Sequence, residues 1–239
     1  MVPISTNDEV HSILNQPDIL ALTQDLERHW QLPPGCILCR GFTYLTVADQ
    51  ARIVWTARGG VAVCPNARQA RPLVALIEAG AGDDIALQTA LEELVTPTNP
   101  HGACLDVLLY NPGSPEDYPC PVGHQVEIFG PGDPAVVALD RTPPGAERIF
   151  AVRREGTIVA RATTKPCLEA DGHRLHAVGV WTDPAYRKQG MGKATVIALL
   201  KHLRREGDAA LWNYQAVNVA SGNLARSVGF VEVFRVFTW

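Results

Sequence analysis

Along the chain the spacing of apolar positions changes period several times, and each change marks an element. After Pro17, a residue suited to the first turn of a helix, Ile19, Leu20, Leu22, Leu26 and Trp30 recur at helical spacing. A shorter helix is expected before it, capped by Thr6 or Asn7. Residues 52–56 and 61–64 alternate around Arg58-Gly59-Gly60 and predict a β-hairpin. Helices are expected at 67–79 and 84–94, with Gly80 and Gly82 between them, and a buried strand at 105–110.

The segment 111–121 carries four prolines, at 112, 115, 119 and 121. Proline fixes φ and withholds a backbone donor, so this stretch can be neither a central strand nor a helix interior. It predicts a division into an N-terminal unit, 1–115, and a C-terminal unit, 122–239. In the second unit the pattern predicts strands at 125–129, 148–153, 157–161, 175–182, 209–214 and 231–237, with helices at 134–139, 191–205 and 220–227. Hairpins followed by alternating strand and helix imply an α/β fold with a mixed sheet.

Composition narrows the function classes without choosing one. Of the 239 residues 46% are hydrophobic and 19% charged, as in ordinary globular proteins. The net charge of −4 recommends neither a nucleic acid nor an anionic membrane as partner. No apolar run suits a membrane span, and the first ten residues have neither the basic nor the apolar part of a signal peptide, so a cytoplasmic protein is expected. Cys36-Ile-Leu-Cys39 is the one close cysteine pair among six cysteines, and no second pair completes a zinc site. On a strand the two thiols would point to opposite faces. Buried thiols and no metal are the expectation.

The candidate chemistry lies at 178–195. A β-rich run ends at Pro184, a basic and glycine-rich loop follows, and Met191, Val196, Leu199, Leu200 and Leu203 begin an amphipathic helix. The first turn of a helix has amides without internal partners, and its dipole favours negative charge. Gly190 and Gly192 would let a diphosphate approach the backbone, and Arg187, Lys188 and Lys193 add positive charge. A P-loop would need glycine at Arg187 and Ser or Thr at Ala194. A dinucleotide fingerprint would need a third glycine at Thr195.

Arg187-Lys-Gln-Gly190-Met-Gly192 resembles the R/Q-x-x-G-x-G/A signature of the GNAT (GCN5-related) N-acetyltransferase superfamily, and Thr182-Asp-Pro-Ala-Tyr-Arg187 resembles its usual lead-in. Downstream, Asn218-Val-Ala-Ser221-Gly-Asn-Leu224 and Gly229-Phe230 resemble the second signature of that family. The resemblance covers about the C-terminal half of the chain.

It implies a GNAT fold, a central mixed and mostly antiparallel sheet flanked by helices, with an N-terminal α/β accessory domain before it. It further implies acetyl-CoA as co-substrate, no metal, and transfer of an acetyl or short acyl group to a primary amine of a small-molecule acceptor by direct attack. Val180, Trp181 and Thr182 would bond the pantetheine amides. Arg187, Lys188, Gln189, Gly190, Met191, Gly192 and Lys193 would hold the pyrophosphate, and Asn218 and Ser221 would lie beside the pantetheine arm. Many members carry a tyrosine after the leucine of the second signature as proton donor; this chain has Ala225, leaving Tyr214, water, or impaired catalysis. His176, two residues from Val178 on one strand face, is nominated as base, beside His173, Glu169 and Asp171, and a purely structural histidine stays open. His202 is expected to be solvated. Relatives carry two substrate-binding helices where this chain has only 130–146, so the N-terminal unit is expected to complete the acceptor site or form a domain interface. A non-catalytic acyl-CoA-binding module, acylation of a protein amine, and a homodimer also remain open.

Overall fold

A computed structural model describes residues 12–46, 51–80, 84–95, 103–113, 118–137, 145–170 and 173–239. The cap expected at Thr6 or Asn7, and Asp171, lie outside them. Helix α1 (Pro17–His29) begins on Pro17 and carries Asp18 in its first turn and Arg28 and His29 in its last, as the helix dipole favours. It buries Ile19 and Leu22. Its buried Glu27 reaches out of the helix to accept the amides of Gly35 at 2.7 Å and Ile37 at 2.9 Å, ordering the turns that follow. Those turns, rather than a strand, hold Cys36 and Cys39. Burial, reinforced by Glu27, pushes the Cys36 thiol up to about 12, which removes it from thiolate chemistry.

Strand β1 (Gly41–Thr46), absent from the sequence expectation, pairs in parallel with β3 (Gly59–Cys64), the second arm of the hairpin begun by β2 (Arg52–Thr56). Helices α2 (Ala67–Ala79) and α3 (Asp84–Val95) precede β4 (Cys104–Tyr110). Next come β5 (Glu127–Phe129), the short α4 (Pro134–Val137), and the long antiparallel run of β6 (Arg148–Arg154), β7 (Thr157–Ala170) and β8 (His173–Thr182). Helix α5 (Met191–Glu206), β9 (Ala209–Gln215), α6 (Val219–Arg226) and β10 (Val231–Thr238) complete the chain.

Among the described residues ten strands form one sheet in the order β1-β3-β2-β10-β4-β9-β8-β7-β6-β5, parallel only at β1/β3 and β8/β9. Strand β4, N-terminal to the proline-rich segment, is hydrogen-bonded to β9 on one side and β10 on the other. Hydrogen bonding therefore runs unbroken across the junction between 1–115 and 122–239. Asn111 strengthens it, donating its side-chain amide to the Val228 carbonyl at 3.0 Å. One apolar core, including Leu73, Leu91, Leu109, Phe150, Leu199 and Phe237, joins both halves of the chain.

Strand β7 runs well past its expected end at 161. The alternation is broken by Lys165-Pro166, and Pro166 sits at a register shift against β8. Pairing with β6 has already stopped at Thr164, so the missing proline amide costs no ladder bond on that side.

In β4, burial raises the Asp106 carboxyl above the usual aspartate range. A carboxyl raised on folding makes its stabilising contribution below its unfolded pKa and loses it as pH rises through the folded value. Asp106→Asn should therefore raise the melting temperature above neutrality, with the gain shrinking on acidification through the aspartate range; thermal melts across pH check this.

Candidate active site

Strands β8 and β9 separate. Their parallel pairing comprises Leu175↔Ala209, His176↔Ala210 and Ala177↔Leu211, although β8 continues to Thr182 and β9 to Gln215. Beyond Ala177 each follows its outer neighbour: β8 stays with β7 to Thr182, and β9 stays with β4 to Gln215. The result is a gap with polar main chain along both edges. The Asp183 amide bonds the Val159 carbonyl at 2.8 Å, which sets the alternation of the β7/β8 ladder. Trp181 then exchanges its main-chain bonds with Arg161, while those of Val180 and Thr182 face the gap. Of the three expected pantetheine contacts, Trp181 is thus the one whose backbone is turned away. Arg187 Nε already donates to the Thr182 carbonyl at 3.3 Å, which leaves Val180 as the open position.

The open end of the gap meets the start of α5. Its cap is Gly190, left-handed at φ 83° and without a side-chain cap. The Ala194 amide is the first to find an acceptor in the helix, the Gly190 carbonyl at 2.9 Å. The amides of Met191, Gly192 and Lys193 lie ahead of it with no intrahelical partner. Arg187, Lys188 and Gln189 are exposed here, and no acidic residue stands in the first turn.

The two glycines also serve local packing. A Cβ at Gly190 would meet Pro121 at 3.0 Å, so this residue is needed for its positive φ and for packing of the segment after the proline-rich stretch. A Cβ at Gly192 would come within 2.9 Å of Thr182 Oγ1, the contact that brings the helix start against the end of β8. His124, unremarked in the sequence, holds the loop from the side. Its Nε2 lies 2.8 Å from the Gln189 carbonyl and must donate to it, which leaves Nδ1 to accept from Arg154 at 3.3 Å.

Across the gap, Asn218 caps α6 by accepting the Ser221 amide at 3.2 Å, and Ser221 Oγ accepts the Trp212 indole N–H at 2.9 Å. Both are therefore engaged in building the second wall. Tyr214 lies on β9 past the point of separation, buried against Gly222, with its hydroxyl accepting from Arg226 at 2.8 Å. Ala225 is fully buried in the core.

His176 stands apart from these groups, at the closed end of the gap. Only 2% exposed, it places Nε2 2.8 Å from Asp208 Oδ2. Asp208 also accepts the Arg174 amide at 3.1 Å and faces Arg174 Nη2 at 3.3 Å. Nε2 donates to that carboxylate, and Nδ1 is buried with no partner among the described residues. Beside it opens a cavity of about 560 Å³, lined in part by Arg148, Arg174, His176, His202 and Glu206. His202, expected to be solvated, instead packs on Phe150 at 5.4 Å between ring centroids and borders this cavity. Asp208 was missed because its partner becomes visible only once the register places Ala210 beside His176.

Residues 120–230 match a family model described as the acetyltransferase (GNAT) family. This part of the chain is a GNAT domain. The chain is 36% identical over 84 residues to the [ribosomal protein bS18]-alanine N-acetyltransferase of Escherichia coli K12, covering 35% of this chain and 54% of that protein. It is 35% identical over 89 residues to the mycothiol acetyltransferase of Thermobispora bispora, covering 35% of this chain and 30% of that one. The chain thus spans about half or less of the curated relatives it matches. A solved acetyltransferase of the GNAT family from Colwellia psychrerythraea overlaps 64% of this chain and 61% of its own, at 16% identity and a TM-score of 0.46. The matched residues run from β5 to α6 and leave β1 to β4 and β10 outside them. No helix among the described residues is long and apolar enough to cross a membrane.

Proposed function

We propose that the protein transfers an acyl group, acetyl in the first instance, from coenzyme A to the primary amine of a small molecule. The observation that carries this reading is the meeting of a parted strand pair with an unbonded helix N-terminus flanked by three basic side chains. The amides of Met191, Gly192 and Lys193, with Arg187, Lys188 and Lys193, would hold the diphosphate. Val180 would bond the pantetheine along the gap, with Asn218 and Ser221 on the facing wall. Sequence likeness to two named acetyltransferases over about a third of the chain supports the same chemistry.

In the reaction the amine nitrogen attacks the thioester carbonyl, the C–S bond breaks, and the thiolate takes up a proton as the amide forms. His176, hydrogen-bonded to Asp208, receives the proton lost by the amine. A gap-facing main-chain amide of β8 steadies the oxyanion. Tyr214, on the opposite edge, supplies the leaving thiolate with its proton. The N-terminal unit serves through β4, which keeps β9 in line while β8 swings away.

A second reading, a module that binds acyl-CoA without turning it over, is favoured by the buried Ala225 in place of the usual donor. Release of free thiol from acetyl-CoA across a panel of amines separates the two. Amine-dependent release is expected; tight coenzyme binding with no release for any amine would select the module.

A further inference from the structure

The cavity beside His176 has a mixed charge pattern that says more about its occupant than its size does. Arg174 is already committed, bridging Glu147 at 3.2 Å and Asp208 at 3.3 Å. Two opposite charges on the cavity wall then remain without an ion pair among the described residues: Arg148, at the start of β6, and Glu206, at the end of α5. His176 lies on the same wall, its Nδ1 buried and without a hydrogen-bond partner among the described residues.

Resting on the acyl-transfer reading, we propose that this cavity is the acceptor pocket and that its acceptor is zwitterionic, a free α-amino acid or short peptide. Its amino group pairs with the Glu206 carboxylate, beside His176, and its carboxylate pairs with Arg148. The position suits the reaction, since His176 lies one residue before the last paired position of β8 and β9. The pocket shares a strand face with Val178 and Val180, so an amine at His176 sits at the closed end of the gap. A guanidinium–carboxylate pair can be bidentate, which makes the carboxylate a specificity element as well as an anchor. In the transfer the acceptor's ammonium gives one proton to the base and attacks as the amine; as the C–N bond forms and the C–S bond breaks, the nitrogen loses a second proton, the departing sulfur gains one, and coenzyme A leaves as the thiol.

The test uses the full chain and three probes in calorimetry: alanyl-alanine, its C-terminal amide, and its N-acetyl form. The free dipeptide should bind, and each blocked form should bind about tenfold more weakly or not at all. Arg148→Ala should abolish the preference for the free dipeptide over its amide, and Glu206→Gln the preference over the N-acetyl form. Equal binding of all three probes overturns the assignment, as does no binding of any. Coenzyme A is titrated separately into the wild-type chain. If it binds while the dipeptide does not, the acceptor class is wrong and the acyl-transfer reading stands; if coenzyme A itself fails to bind, the reading beneath the proposal falls.

Discussion

Gly192→Asp should raise the dissociation constant for coenzyme A by about 100-fold or more while leaving the protein folded. The substitution puts a carboxylate at the second helical position of α5, among the amides of Met191, Gly192 and Lys193. Losing one or two charge-assisted bonds to a diphosphate, at about 1.5–3 kcal/mol each, already accounts for such a change, and repulsion adds to it. The helix itself tolerates the new residue, because an acidic group in the first turn complements its dipole. The close contact with Thr182 Oγ1 is relieved by a small rotation of that side chain. Gly190→Asp is a less clean probe. At φ 83° a side chain would cost about 1–2 kcal/mol in backbone strain and would also press on Pro121. Calorimetry beside a thermal melt distinguishes loss of binding from loss of fold; unchanged affinity for Gly192→Asp would remove the diphosphate from this turn.

The second large effect is expected at His176. His176→Gln should lower kcat by about 10²–10⁴ and leave KM for acetyl-CoA close to that of the wild type. Asp208→Asn should act through the same group in a different way. An amide in place of the carboxylate no longer enforces the Nε2–H tautomer, so activity falls although the imidazole is present. It also removes one of the two carboxylate partners of Arg174, which is 38% exposed and keeps Glu147 at 3.2 Å, so the accompanying loss of stability is small. A fall in melting temperature for both variants with kcat and the pH profile retained would make the dyad a structural clamp at the strand junction and nothing more.

The elements of the GNAT domain were legible because each depends on local patterning. The helix at 191, the strands around it and the glycine loop were visible from periodicity and from two short signatures. What stayed hidden depends on pairing between distant segments. Nothing in the alternation of 104–110 reveals that this strand belongs between β9 and β10, and the proline-rich segment after it suggested a clean break instead. The short β1 was invisible for the same reason, being an edge strand defined by its parallel partner β3. Asp208 and His124 act on residues 32 and 65 positions away, and a sequence offers no signal for such contacts. The loop glycines show a related limit. Their spacing suggested one shared role, whereas the coordinates give Gly190 a backbone reason and Gly192 a packing reason.

These assignments converge on the gap between β8 and β9 and the helix start at its mouth. Backbone amide NMR of the full chain, titrated with coenzyme A, addresses that directly. The predicted result is a concentrated set of shifts at Met191, Gly192, Lys193 and Val180, with slowed hydrogen exchange at the same amides. Shifts confined to other parts of the sheet, with these four unmoved at saturation, would contradict it.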